Sequence, residues 1–368
     1  MTRGGAVERL LAGPPWGRGP FLAAMREALA LHMRRSEVFR GVCRMQGFEP
    51  RMLRSEKDLG LVPFIMVNAF KERDLSIPGV RVALELTSSG TTGQKSRMLL
   101  DRTSLDRVQR LARQVFAGLG LVDPSQTADY LCFTYDPSKA RNLGTAWTDK
   151  LLMGFTRAGE AFFAFQWDGA KGDFRFAREE AVEALERFEK RGRPVRILGF
   201  PAFALQLCED FRAKRGRSAK LARGSRVITG GGWKDLQDKA MDKGLMRRRL
   251  ADGLGIPAEH VRDLFGMVEH GVPYVDCGLG EFHIPDYSRV LVRDPATLAV
   301  LPAGKTGLLQ FMTPYLSSYP SISLLTCDFG SVLPRCRCGL GGPILRIRGR
   351  AGVAKLKGCA VSASRLLA

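Results

Sequence analysis

Thr87-Ser88-Ser89-Gly90-Thr91-Thr92-Gly93-Gln94-Lys95-Ser96 is the stretch on which the reading of this chain turns. It sets hydroxyls and glycines directly behind an apolar, β-branched run, Val80 to Leu86, and ahead of Asp101 to Ala117, whose periodicity reads as a helix. Strand, loop and helix in that order are a setting for phosphate. Gly90 and Gly93 let the backbone approach an oxyanion closely, while Ser88, Ser89, Thr91 and Thr92 add side-chain donors to the backbone N–H groups. No Gly-Lys-Ser/Thr ends the loop, so it is not a Walker loop, and it lacks the dinucleotide fingerprint. The alternative is a plain Ser/Thr-rich turn.

Outward from that loop the pattern is α/β. Pro20 to Arg34 carries Phe21, Met25, Leu29 and His32 at helical spacing, and Ser36 is a candidate cap for a second helix running to Met45; these first residues, 1–60, read as a helical layer. Between Arg81 and Met312 short apolar strands alternate with amphipathic helices, as in Arg178 to Arg191, Val195 to Gly199 and Ala202 to Arg215. That alternation predicts a mainly parallel sheet flanked by helices. Beyond Pro285 come short strands with turns, including Val290-Leu291-Val292 and Gly307 to Phe311, which predict a small antiparallel or barrel-like β subdomain after about 285.

The 368 residues, 45% hydrophobic and 26% charged, suit a globular protein and exclude disordered and fibrous classes. No apolar run approaches the length of a membrane helix, and Met-Thr-Arg-Gly-Gly does not open a secretion signal, so a cytoplasmic location is expected. Eight scattered cysteines argue for reduced thiols or metal ligands over a disulfide framework. A formal net charge of +20 would steer acidic partners, anionic lipid or nucleic acid toward the protein. Its clusters, Lys214-Arg215-Gly216-Arg217 with Lys220, Arg223 and Arg226, and Arg247-Arg248-Arg249, read as solvated helix faces and loops. No base-stacking aromatics interleave them, which makes nucleic acid the minor hypothesis.

The loop, together with Val62-Pro63-Phe64-Ile65-Met66-Val67-Asn68-Ala69-Phe70-Lys71, Thr229-Gly230-Gly231-Gly232-Trp233-Lys234 and Phe265-Gly266-Met267-Val268-Glu269, resembles the adenylate-forming superfamily of acyl-CoA synthetases, luciferases and adenylation domains. Within it the text is most similar to the acyl-protein synthetases of the bacterial luminescence fatty-acid reductase complex. The resemblance implies the large N-terminal-type domain of these enzymes, spanning residues 61–348, with 349–368 as a truncated hinge and tail and no C-terminal lid domain. It implies ATP and Mg²⁺ as cofactors and a carboxylic acid, fatty or related, as substrate. Residues Ser88, Ser89, Gly90, Thr91, Thr92 and Gly93 would wrap the β- and γ-phosphates. Family enzymes often place a lysine near the loop's end; Ser96 falls there, with Lys95 one position early. Glu269 matches the Mg²⁺-binding acid, with a solvated surface glutamate as the alternative. Gly230, Gly231 and Gly232 would lie flat against adenine, or form a plain turn. Asp328 matches the aspartate that accepts from both ribose hydroxyls, or caps a turn, and Arg350 matches the hinge arginine near the ribose. Trp233 and Lys234 stand beside the adenine motif. His270 either faces the site or sits in the core.

Two sets of thiols remain. Cys359, among Lys355, Lys357 and Arg365, has the cationic neighbours that favour a thiolate, and in the luminescence synthetases a cysteine near the C-terminus carries the acyl group before passing it to the reductase. A small buried cysteine is the alternative. Cys277 and His283, with Cys336 and Cys338, have the composition of a closed tetrahedral zinc set, if the fold brings two distant halves together. Phenylacetate-CoA ligase-like enzymes show similar segments, and such a zinc would be structural. The expected activity is therefore ATP-dependent formation of acyl-AMP, followed by acyl transfer to a protein thiol and on to a reductase or carrier protein. The rivals are an acyl- or aryl-CoA or carrier-protein ligase with a separate lid, and a basic protein that keeps the fold without catalysis.

Overall fold

The computed structural model describes residues 4–87, 97–135, 144–169, 173–233 and 240–350. Helix α1 (Ala6–Ala12) leads into α2 (Phe21–Arg35), where Phe21, Met25, Leu29 and His32 all lie on the buried face. Ser36 caps α3 (Glu37–Met45), its hydroxyl accepting from the Phe39 N–H at 3.2 Å. A short strand β1 (Ile65–Met66) and helix α4 (Ala69–Glu72) follow. The hydroxyl-rich loop connects two strands of an antiparallel hairpin, β2 (Val82–Thr87) and β3 (Arg97–Asp101), and only then does α5 (Arg102–Gly118) begin. The sequence reading placed the helix directly after the loop. It missed β3 because the alternation of buried Met98 and Leu100 spans only five residues, whereas the helical repeat from Leu105 onward continues through several turns.

The central sheet takes its strands from β4 (Asp123–Tyr135), β5 (Thr156–Asp168), β6 (Asp173–Phe176), β7 (Val195–Gly199), β8 (Arg226–Gly230), β9 (Val261–Phe265) and β10 (Tyr274–Val275), in the order β10-β9-β8-β7-β4-β5-β6. The five inner strands run parallel and only the two edge strands are antiparallel. Helices α6 (Gly144–Met153), α7 (Arg178–Arg191), α8 (Pro201–Arg215) and α9 (Lys243–Leu254) make the connections. Because side chains alternate along a strand, β4 feeds two cores. Leu131 and Phe133 pack with residues of α7, α8 and α9 on one face, whereas Tyr130 and Cys132 join the N-terminal helices, α5 and a second sheet on the other.

That second sheet runs β11-β15-β14-β13-β12, from β11 (Phe282–His283), β12 (Arg289–Arg293), β13 (Gly307–Met312), β14 (Ser323–Leu333) and β15 (Ile344–Arg350), with β1 added in parallel alongside β14. Apart from β1 its pairings are antiparallel, as the short strands and turns beyond Pro285 predict. Ion pairs link Lys214, Arg215 and Arg217 to Glu183, Glu186 and Glu189 of α7, so much of that basic run is a paired surface. Arg247 departs from the expectation of a solvated helix face. It is buried and donates to the carbonyls of Val261, Ala258 and Gly278.

Candidate functional site

Parallel strands bring their carboxyl ends to one edge, where backbone groups left unpaired face a crevice. Here Tyr135, Gly199, Gly230 and Phe265 end β4, β7, β8 and β9 on that edge. Gly230 pairs in register with Leu264. Thr229 fastens the two strand ends, its hydroxyl lying 3.2 Å from the Arg262 carbonyl and 3.1 Å from Asp263 Oδ1. The next two residues turn sharply: Gly231 and Gly232 have φ of 75° and 68°, a conformation that side-chain-bearing residues rarely adopt. Trp233 is half-buried beside them, and Lys234 lies outside the described residues.

The chain leaving β9 turns over Met267, whose carbonyl accepts from the N–H groups of both His270 and Gly271, and this tucks Glu269 inward. Glu269 is only 5% exposed, which removes the solvated-surface alternative. Asp328, in the interior of β14 and 6% exposed, faces Arg350 across the β14–β15 pairing, with Arg350 Nε donating to its Oδ1 at 2.8 Å. Desolvation works against the Arg350 charge, but Asp328 and, more weakly, Cys327 and Glu269 outweigh it and raise its pKa above the ordinary value. Asp328 and the largely exposed Arg350 form an ion pair at the junction of the two sheets, and Glu269 is near enough for its charge to favour the guanidinium weakly. The two carboxylates there can hold a divalent cation and accept hydrogen bonds from a polyol, while the guanidinium can only donate.

His270 belongs to the core. Its Nε2 is 2.8 Å from Tyr274 Oη, which donates on to Ser288, and complete burial drives its pKa down to about 3, so it is neutral. The loop of residues 88–93, together with Lys95 and Ser96, lies outside the described residues. Its flank is fixed: Leu99 N donates to Tyr319 Oη at 2.8 Å, and that hydroxyl donates to the Arg97 carbonyl. Cys359 also lies outside the described residues.

The Cys/His halves do meet. A tight turn over 277–281 and the antiparallel pairing of β11 with β15 fold Cys277 and His283 against Cys336 and Cys338. All four ligand atoms lie within 4.8 Å of one another. Cys277 Sγ and Cys336 Sγ are 3.8 Å apart, the edge expected of a tetrahedron with arms of about 2.3 Å. Cys338 Sγ is 3.2 Å from His283 Nε2. The His283 Nδ1–H donates to the Gly341 carbonyl at 3.1 Å, which leaves the Nε2 lone pair facing the thiols. Burial opposes ionisation of Cys277, but hydrogen bonds involving His283, the backbone of Glu281 and Leu279, and Cys336 take its pKa down to about 6. At Cys338 burial and the neighbouring thiols push it up to about 11. The donor set fits a closed, four-coordinate metal site.

Sequence reasoning passed over two features near the crevice. Cys327 is half-buried beside Asp328, with Asn68 Nδ2 at 3.9 Å from its sulfur, and its adjacency to Asp328 was the available signal. Asp149, on α6, is buried near the carboxyl end of β4 and accepts from Thr134 Oγ1 at 2.5 Å; nothing in its local sequence marks it.

Solved structures share this architecture. The chain superposes on the open conformation of 2-hydroxyisobutyryl-CoA ligase, solved in complex with 2-HIB-AMP and CoA, with a TM-score of 0.66 and 17% identity, covering 93% of this chain and 77% of that one. The same enzyme in its thioesterification state gives 0.65 and 19%, covering 90% and 67%. At such identity the likeness establishes the fold, that of the adenylate-forming ligases. Two curated relatives, both named long-chain-fatty-acid–luciferin-component ligase, are closer in sequence. That of Vibrio harveyi is 26% identical over 343 residues, 93% of this chain and 86% of the relative; that of Aliivibrio fischeri is 27% identical over 350 residues, 93% and 87%. The family model described as acyl-protein synthetase, LuxE, matches residues 20–368, and to that family the chain belongs.

Proposed function

We propose that this protein uses ATP to convert a long-chain fatty acid to acyl-AMP and then passes the acyl group to a protein cysteine thiol, with Cys359 as the first acceptor. Membership of the acyl-protein synthetase family makes it an acyl-activating ligase. The observation that carries the reading further is the shared burial of Glu269 and Asp328 around Arg350 where the two sheets meet. In the first step a carboxylate oxygen attacks the α-phosphorus of ATP and pyrophosphate leaves. In the second a thiolate attacks the acyl carbonyl and AMP leaves. The first needs negative charge neutralised and the nucleotide held in line.

In this assignment Glu269 would hold Mg²⁺, which would supply charge neutralisation at the phosphates, and Asp328, with Arg350 beside it, would accept from the ribose hydroxyls. Gly230, Gly231 and Gly232 give adenine a flat backbone surface, and residues 88–93 cradle the outer phosphates. Cys277, His283, Cys336 and Cys338 hold a structural zinc, which ties the turn after β10 to the β14–β15 connection and takes no part in the chemistry. The same reading divides the chain into a helical layer at 1–60, an adenylate-forming core at 61–348 and a tail at 349–368. The acyl group then goes to a reductase or carrier protein. Among the described residues no helix is long and apolar enough to cross a membrane.

The test is acid-dependent ATP–pyrophosphate exchange over a panel of carboxylic acids, with exchange expected to peak at long chains. Replacing Cys359 with serine should leave exchange intact and abolish covalent acyl labelling. Exchange independent of added acid refutes the adenylation, and labelling that survives in C359S refutes the thiol assignment.

A further inference from the structure

Helix α9 opens on a cation where its own dipole disfavours one. Lys243 is its first residue, at the end where the aligned peptide dipoles concentrate partial positive charge, and no acidic residue sits within the first turn. The cap is Asp242, whose carboxylate accepts from the Leu245 N–H at 3.0 Å. Lys243 instead meets two carboxylates of the central sheet. Its Nζ stands 3.0 Å from Asp276 Oδ2 and 3.5 Å from Asp263 Oδ2, and it lies 3.6 Å from the centre of the Phe282 ring on β11. These are charge contacts rather than aligned hydrogen bonds. The Asp276 side chain has no exposed surface, so its charge needs an answer inside the protein, and Lys243 supplies one.

Asp263 connects that lysine to the crevice. It lies on β9 in register with Thr229, the residue before Gly230. Its N–H donates to Asp276 Oδ1 at 2.9 Å and its carbonyl accepts from the Asp276 N–H at 3.1 Å, so its backbone is fixed on both sides. Its two carboxylate oxygens then face different groups: Oδ1 lies 3.1 Å from the buried Thr229 hydroxyl, and Oδ2 faces Lys243. One side chain thus holds both the residue that enters the glycine turn and the residue that opens the next helix. The turn has little slack at its start, because even a Cβ at Gly230 would come within 3.2 Å of the Leu264 carbonyl.

We propose that Lys243 is a positioning residue for the nucleotide: through Asp263 and Thr229 it sets where the Gly230–Gly232 turn meets the purine. Acting through other groups, it governs ATP affinity and the choice of base rather than the rate of chemistry. The proposal rests on the assignment of that turn to adenine.

Acid-dependent ATP–pyrophosphate exchange is measured for the full-length wild type, K243M, K243R, T229V and the K243M/T229V double variant, with ATP and with GTP, and each protein is melted to check its fold. Methionine keeps an unbranched stem against Phe282 and removes the charge. K243M should raise the KM for ATP about tenfold and narrow the preference for ATP over GTP, while the maximal rate and the KM for the acid stay within about twofold of wild type. K243R, which keeps the charge, should recover most of the loss. T229V cuts the same path at its other end, so it should raise the ATP KM as well, and the double variant should be no worse than the worse single one. Wild-type protein without acid-dependent exchange refutes the ligase reading and this proposal with it; every other failure falls on Lys243 alone. Those failures are an unchanged ATP KM in folded K243M, losses spread evenly over ATP KM, acid KM and maximal rate, or fully additive losses in the double variant. Should K243M not fold, T229V decides, and wild-type ATP KM and base preference in that variant overturn the proposal.

Discussion

Replacing Asp149 with asparagine should make the protein more stable, and more so the higher the pH. The carboxyl sits on α6 at 5% exposure and accepts from the Thr134 hydroxyl, and burial, only partly offset by that bond, raises its pKa from 3.8 to about 7. The sign follows from proton counting. Between those two values the folded chain holds a proton that the unfolded chain has released, so the native state loses stability as pH rises through the window, and above about 7 the loss is complete. A displacement of that size corresponds to about 4 kcal/mol, an upper figure because water reaching the site would reduce it. Asparagine keeps an oxygen to accept from Thr134 and has no charge to bury. Urea unfolding of both proteins at half-unit steps from pH 4 to 8 measures the difference directly. The two should be nearly equal at the acid end, and the variant should gain steadily up to pH 7 and then level off. A difference that stays flat across the range refutes the buried neutral carboxyl.

Asp328→Ala removes the acceptor of Arg350 and, in the proposed site, of the ribose hydroxyls. Charge-assisted bonds of this kind contribute about 1.5–3 kcal/mol, so the KM for ATP in pyrophosphate exchange should rise about 10- to 100-fold, and an unchanged KM would remove Asp328 from the nucleotide site. Cys338→Ser opens the four-residue donor set. Zinc content by atomic absorption should fall from about one per chain, and the melting temperature should drop as it does when wild-type protein is treated with a chelator; wild-type protein purified without metal would refute the zinc assignment.

What was legible in the sequence was local. The limits of α7 and α8 were visible because the helical repeat and the glycines at 192 and 216, both in the left-handed conformation, are signals carried by adjacent residues. The antiparallel character of the last third was visible in its short strands and turns. Motifs singled out Gly230–Gly232, Glu269, Asp328 and Arg350 as candidates, yet only the fold brings Glu269, beyond the end of β9, within electrostatic reach of the Asp328–Arg350 pair on the other sheet. The Cys/His halves could be matched by composition alone, and the pairing of β11 with β15 closes them. A row of three arginines on the central sheet escaped notice for the opposite reason. Arg196, Arg226 and Arg262 interrupt apolar strands singly, and their alignment appears only once two crossovers, through α8 and α9, have put β7, β8 and β9 side by side. Asp149 looks like any polar residue on a helix until its burial is known.

The N-terminal layer is held by groups from the far end of the chain. Tyr287 donates to the Gly13 carbonyl, the His32 ring meets the Leu316 carbonyl, Arg293 donates to the Gly60 carbonyl, Arg289 pairs with Glu56, and β1 finds its partner in β14. During synthesis, helices α1 to α3 therefore leave the ribosome long before the surfaces that cover Phe21, Met25 and Leu29 exist. Their apolar faces must wait through the making of the whole central sheet, an exposure that favours aggregation of the nascent chain until the last third emerges.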